Sequence, residues 1–308
     1  MLERLFKPLE DAIITHSIAM GIINHHWAQK KIDSLVDAVI SAVIRSRMTW
    51  GEFKDCLKDC VAGRVVDLSF FDKGGNVWGY VDSRYHSFAK ALWAQRSTAI
   101  GTPNAASGEG ELMFLFLSPK VRMPARGDLN VGGVEIELKG NQARVQGRIT
   151  GNDFRTATVS LAKQYGLIPN IPNRRNKGEA AELEKRNHEA HWRRQLASLA
   201  PNSQEQFLFE WLKQVSPLAT IDDARVVLAG GYNIDVLQRT IVKLLYADMV
   251  DSGQWSKIIF LGDGSSSIVC DTNTKHFDKL IDNDVITLGG DYFRIWQGFR
   301  IGWYIEPN

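Results

Sequence analysis

The chain has 308 residues, 44% hydrophobic and 23% charged, a balance that fits an ordinary globular protein with one large core or two modest ones. Its 37 Lys and Arg face 35 Asp and Glu, so the net charge of +2 excludes a global nucleic-acid signature, and any basic footprint has to be local. The three cysteines, Cys56, Cys60 and Cys270, form no CxxC pair; this argues against a disulfide framework or a zinc ribbon and fits a reducing cytoplasm.

In chain order, residues 1–60 read as helical. The opening MLERLFKPLEDAIITHSIAMGI carries Glu3, Glu10 and Asp11 too early for a secretory signal, and His16 interrupts its apolar run. It is expected to be an amphipathic helix, with no transmembrane span anywhere in the chain. KIDSLVDAVISAVIRSRM places Ile32, Leu35, Val36, Val39, Ile40 and Val43 at helical spacing. TWGEFKDCLKDCV begins with Thr49 three residues before Glu52, the spacing of a capping box. GRVVDLSFFDKGGNVWGYV reads as a short β segment turning at Asp72–Gly75, and SRYHSFAKALWAQRS as a return to helix. AIGTPNAASGEG, residues 99–110, is the best candidate for a boundary or hinge.

GELMFLFLSP then predicts an apolar helix stopped near Pro119. GDLNVG and GVEIELKG alternate apolar and polar residues on either side of Gly132–Gly133, a two-residue hairpin signal. DFRTATVSLAKQYGLIP predicts a helix ending at Gly166. Residues 170–200 are charged and lack an apolar stripe; residues 204–250 are helical again, with LAGGYN as a helix stop. From Trp255 onward the pattern turns to strands, with GDGSSS as a hairpin turn. GDGSSS has no P-loop lysine, no GxSxG turn is present, and His188 with His191 lacks a third ligand.

The chemistry sits in residues 127–140. In a strand, Glu135, Glu137 and Lys139 share one face while Val134, Ile136 and Leu138 share the other. A divalent cation such as Mg²⁺ accepts one or two carboxylates. Asp128 on one strand and Glu137 on the next converge on such an ion if the turn is tight, with Lys139 alongside to hold an attacking water and stabilise charge on a phosphate. The alternative reading of the same pattern is an amphipathic edge strand with solvated charges.

Asp128 followed by Glu137-Leu138-Lys139 resembles the PD-(D/E)XK, or restriction-endonuclease-like, nuclease superfamily over residues 107 to about 166. Gly127 stands where the proline that names the motif is found, and a second triplet, Glu52-Phe53-Lys54, lies in a helical segment without a suitable aspartate. The resemblance implies an α/β fold: a restriction-endonuclease-like core with a mixed β-sheet flanked by helices. Residues 1–105 would be a mainly helical N-terminal region and 106–308 the core, with 170–250 a helical insertion or accessory lobe.

It also implies a Mg²⁺- or Mn²⁺-dependent DNA endonuclease. Asp128, Glu137 and the Leu138 carbonyl would be metal ligands, with Glu111 added from the preceding helix in preference to Glu109. Lys139 would be the catalytic lysine and Glu135 an additional acid. Arg144, Arg148, Gln142, Arg126, Arg122 and Lys163 would contact DNA; contacts of this kind to the phosphate backbone give affinity without sequence readout.

The contexts the superfamily suggests include phage, mobile-element, repair and restriction, in a bacterial or phage-infected cytoplasm or with a virion. The partner would be DNA rather than membrane, with a homodimer or a viral or DNA-processing assembly as the larger unit. A different class of function is carried beside it: a DNA-binding or viral structural protein that uses a nuclease-like fold without catalysis. Nine tryptophans are mostly expected in the core, with one or two available to stack on unpaired bases.

Overall fold

The computed structural model describes residues 2–23, 26–95, 100, 108, 110–124, 127–140, 144–145, 151–167, 190, 193–253, 255–262, 266–287, 301–302 and 304–305. The chain divides into two compact units. The first comprises residues 1–141, 254–272 and 305–308, and the second 142–253 and 273–304.

The first unit opens with helices α1 (Leu2–Ala19), α2 (Gln29–Ser46) and α3 (Trp50–Val61). The Thr49–Glu52 capping box forms as expected: Thr49 Oγ1 accepts the Glu52 N–H at 3.3 Å, and Glu52 Oε2 accepts the Thr49 N–H at 2.8 Å. The stretch expected as a hairpin around Asp72–Gly75 is not one. Phe70–Lys73 is a single helical turn (α4), Val77–Tyr80 is a 3₁₀ turn, and Val66 and Val81 make one isolated bridge. Burial explains the difference. Phe70 and Phe71 are adjacent and both buried, which a strand with one wet face cannot achieve. The helical turn lays both rings against Phe114, with centroids 5.5 and 4.8 Å away. Helices α5 (His86–Trp93) and α6 (Glu111–Leu117) follow, and every residue of α6 is buried.

Five strands form the sheet of this unit: β1 (Val121–Arg122), β2 (Leu129–Val131), β3 (Val134–Lys139), β5 (Lys257–Leu261) and β6 (Ser267–Asp271), in the spatial order β1-β2-β3-β5-β6. The sheet is mixed, because β3 and β5 run parallel and the other neighbours antiparallel. The β2–β3 hairpin turns through Gly132 and Gly133, with φ of +61° and +92°. Two central residues with positive φ suit the twist of a two-residue hairpin.

One face of the sheet, with Ile136, Leu138, Ile259 and Leu261, belongs to the same core as α2, α3, α5 and α6. Burying an aliphatic side chain of this size stabilises the fold by about 1.5–3 kcal/mol. This continuous core is why the chain does not divide near residue 105. The sheet edge at β6 is covered by the Gly74–Gly75 turn: the Gly75 N–H donates to Ser267 O, and Ser267 Oγ–H to Gly75 O, both at 2.8 Å. A Cβ on Gly74 would sit 2.8 Å from Ser267 O, so only glycine allows this approach.

The second unit contains α7 (Gly151–Gln164), α8 (Pro201–Val215), α9 (Ile221–Ala229), α10 (Ile234–Asp251) and α11 (Thr274–Asp282). Gly166, at φ +71°, follows α7 as expected, and α9 ends at Gly230 within LAGGYN. Helix α11 was not anticipated in a region read as strands; its Phe277 and Ile281, four residues apart, are buried, and Phe277 stacks on Tyr246 at 3.8 Å. Short strands β4 (Arg144–Val145) and β7 (Ile301–Gly302) pair antiparallel apart from the main sheet. Among the described residues no helix is long and apolar enough to cross a membrane. Most of residues 99–110 and 170–200, with Trp296, Phe299 and Trp303, lie outside the described residues.

Candidate functional site

Strand β3 is the central strand of the five, and its two rows differ as alternation requires. Ile136 and Leu138 are buried in the core; Glu135, Glu137 and Lys139 occupy the other row and are half-buried. The Glu137 and Lys139 side chains are only 17% and 19% exposed, so the reading of a solvated edge strand is excluded. On β5 the row beside this one is apolar: Ile258 pairs with Glu137 and Phe260 with Lys139, and both are fully buried. The charged groups therefore stand beside an apolar row.

The hairpin brings Asp128 to Glu137. Leu129 pairs with Ile136, and the Asp128 N–H donates to Ile136 O at 3.0 Å, which carries the register one step on and sets Asp128 opposite Glu137. Asp128 Oδ2 accepts the Leu138 N–H at 2.7 Å, and Lys139 Nζ donates to Glu137 Oε1. Gly127 has φ +72°, and a Cβ there would meet Ile136 O at 3.0 Å and Glu137 Oε2 at 3.7 Å. Proline, locked near φ of about −65°, cannot take this conformation. Glycine at the motif's proline position is thus a requirement of this hairpin.

Glu111 opens α6. It is 7% exposed, and its Oε1 accepts the Gly108 N–H at 2.5 Å. Burial, and then the charges of Asp128 and Glu137, push the Glu111 carboxyl up to about 7 against the opposing pull of the Gly108 N–H and Lys139. Burial and then the Glu137 charge push Asp128 up to about 6, opposed by the Leu138 N–H and Lys139. Three acids and one ammonium therefore share a single electrostatic environment. Of the two acids on β3, Glu137 is the one that acts on Asp128 and Glu111. Glu135 pairs with Asn130 at the far end of the hairpin, and its carbonyl accepts the Ser256 N–H at 2.8 Å.

Asp128 Oδ1, Glu137 Oε2 and Glu111 Oε2 accept no hydrogen bond among the described residues. Partly sheltered carboxylate oxygens that repel one another are the donor type a hard divalent cation takes, so the chemistry of the set fits Mg²⁺ or Mn²⁺. The acids are not drawn together as they stand: among the described residues no three Asp, Glu, His or Cys side chains form a ready-made metal-holding group.

The basic residues expected around the site divide differently. Arg122 is exposed at the end of β1, and its guanidinium donates to Met20 O just past α1, so it serves the fold. Lys163 is exposed near the end of α7 in the second unit, and Arg144 lies in β4 of that unit. Arg126, Gln142, Arg148 and Glu109 fall outside the described residues, as do His188 and His191. Two parts of the site carried no sequence signal. One is the Leu138 N–H, which holds Asp128. The other is Trp93, whose ring a Cβ on Gly110 would meet at 2.9 Å, just before Glu111. Comparisons of the chain with protein-family models, with curated proteins and with solved structures gave no match.

Proposed function

We propose that this protein is a metal-dependent DNA nuclease with a core of the PD-(D/E)XK type. The observation that carries the reading is the pairing of Asp128 with Glu137 across a tight hairpin, with Lys139 bonded to Glu137 and the Glu111 carboxyl coupled to both acids. Further support comes from the order of parts: an acid at the start of α6, an aspartate one residue before β2, and the Glu-x-Lys triplet on β3 of a mixed sheet. That is the order the resemblance expects. Lys139 places one ammonium beside the acids, a local positive charge of the kind a polyanion needs, on a chain whose net charge is only +2.

Asp128, Glu137 and Glu111 would hold the ion, the first kept in place by the Leu138 N–H. Bound there, Mg²⁺ would supply positive charge that lowers the pKa of water and neutralises charge developing on the phosphate. Lys139 orients the water oxygen toward phosphorus, and its ammonium stabilises the negative oxygens of the transition state. The attacking water gives up a proton to solvent as the new P–O bond forms and the bond to the leaving oxygen breaks; that oxygen keeps the electron pair and takes a proton from solvent. The apolar row of Ile258 and Phe260 lowers the local dielectric and strengthens each of these interactions.

The test is cleavage of plasmid and single-stranded DNA by purified protein with Mg²⁺ or Mn²⁺. Asp128→Asn, Glu137→Gln and Lys139→Met are expected to abolish cleavage while keeping the fold; wild-type rates in these variants would overturn the assignment. The non-catalytic reading, a DNA-binding or viral assembly protein on the same kind of fold, is favoured by the absence of a gathered three-ligand group among the described residues. Salt-sensitive DNA binding with intact substrate would support it instead.

A further inference from the structure

Three tryptophans in the first unit lie under a lysine ammonium: Trp27 with Lys31 at 5.5 Å, Trp50 with Lys54 at 5.4 Å and Trp78 with Lys90 at 5.3 Å. One of them is linked through a second tryptophan to the turn before Glu111. The Trp78 ring meets Trp93 edge-on, with centroids 5.4 Å apart at 65°. Trp93 in turn underlies Gly110: a Cβ there would come within 2.9–3.2 Å of three ring carbons, and the Gly110 N–H donates to Trp93 O at 3.3 Å. Gly110 takes φ +82° to make this approach, and the next residue is Glu111. Trp93 is buried, whereas Trp78 keeps part of its surface accessible and Lys90 is exposed.

We propose that Trp78, with Lys90 above it, is a platform on which an unpaired base stacks, linked through Trp93 and Gly110 to the turn that carries Glu111, so that the preferred nucleic acid is single-stranded or frayed DNA. The inference rests on the nuclease reading for its choice of ligand. The edge-on contact with Trp93 holds the Trp78 ring, which lowers the entropic cost of ordering a stacking surface. Any base offers a π-face, so stacking on indole favours unpaired strands without selecting a sequence. The lysine side chain is a flexible cover that a base displaces, and its charge then meets the adjoining phosphate. In a duplex the bases are stacked on one another and cannot reach such a ring.

The experiment titrates the full chain in EDTA with a short oligothymidylate and with a blunt duplex, reading tryptophan fluorescence and anisotropy of a labelled strand. Oligothymidylate is expected to quench wild-type fluorescence. Trp78→Ala is expected to weaken its binding roughly 5- to 150-fold, the range of base–aromatic stacking, with duplex affinity unchanged. Trp78→Phe keeps an aromatic ring in the core and is expected to retain most of the affinity; Trp27→Ala and Trp50→Ala are expected to match the wild type. The proposal is overturned if wild type does not bind oligothymidylate, if Trp78→Ala binds it normally, or if single strand and duplex weaken equally. Binding is read without metal. Absence of cleavage by wild type would therefore remove the nuclease reading while a Trp78-specific loss stood, and normal cleavage with unaltered Trp78→Ala binding would remove the platform alone.

Discussion

Replacing Glu111 by Gln tests the electrostatics of the cluster directly. Glu111 is moved from an ordinary value of 4.5 to about 7 by burial and by the charges of Asp128 and Glu137. A carboxyl whose pKa is higher folded than unfolded binds its proton more tightly in the native state. Stability from this group is therefore fully present below about pH 4.5, falls as pH rises, and is lost above about pH 7. The shift corresponds to roughly 3 kcal/mol as an upper figure at 1.36 kcal/mol per pH unit, and about 1–3 kcal/mol is expected once the site relaxes. Glutamine can keep the Gly108 N–H bond without the charge. Glu111→Gln should match wild type near pH 4.5 and be more stable by about 1–3 kcal/mol at pH 8. The assay is urea denaturation of both proteins in EDTA from pH 4.5 to 8. Parallel stability curves, or a variant less stable at pH 8, would show that burial and the neighbouring acids do not hold the Glu111 carboxyl up.

Gly127→Ala is expected to cost about 1–2 kcal/mol through its left-handed backbone and the 3.0 Å approach to Ile136 O, and Gly127→Pro, which restores the motif's spelling, to cost more; urea midpoints check the order, and a stabilised Gly127→Pro would contradict the hairpin geometry. Leu138→Ala is expected to lose about 2–5 kcal/mol, because its side chain lies on the core face while its N–H holds Asp128; a loss below 1 kcal/mol would place that side chain outside the core. Mn²⁺ at saturating concentration is expected to raise the thermal midpoint of wild type but not of Asp128→Asn or Glu137→Gln, since a ligand stabilises the state that binds it; equal shifts in all three would take these acids out of ion binding.

Much of the site was legible in the sequence because alternation and turn chemistry are local. Glu135, Glu137 and Lys139 fall on one face whatever the strand packs against, and Gly132–Gly133 joins the two runs as a hairpin needs. The same locality gave the Thr49–Glu52 cap and the apolar α6. Where burial overrode local pattern, sequence reading failed: Phe70–Phe71 became a helical turn, and α11 arose in a stretch read as strand.

Four things were decided only by tertiary structure. β3 became the central strand because β5, more than a hundred residues on, pairs parallel to it. That placement turns a charged row that could have faced water into a half-buried one, and beside it burial moves the carboxyls of Asp128 and, on α6, Glu111 upward. Register set Glu137 rather than Glu135 opposite Asp128, and the glycine at 127 suits a backbone that no proline can adopt. Sequence set which groups could share a face; long-range pairing set how far from water they stand, because dielectric environment depends on what packs around a strand and not on the strand's own residues.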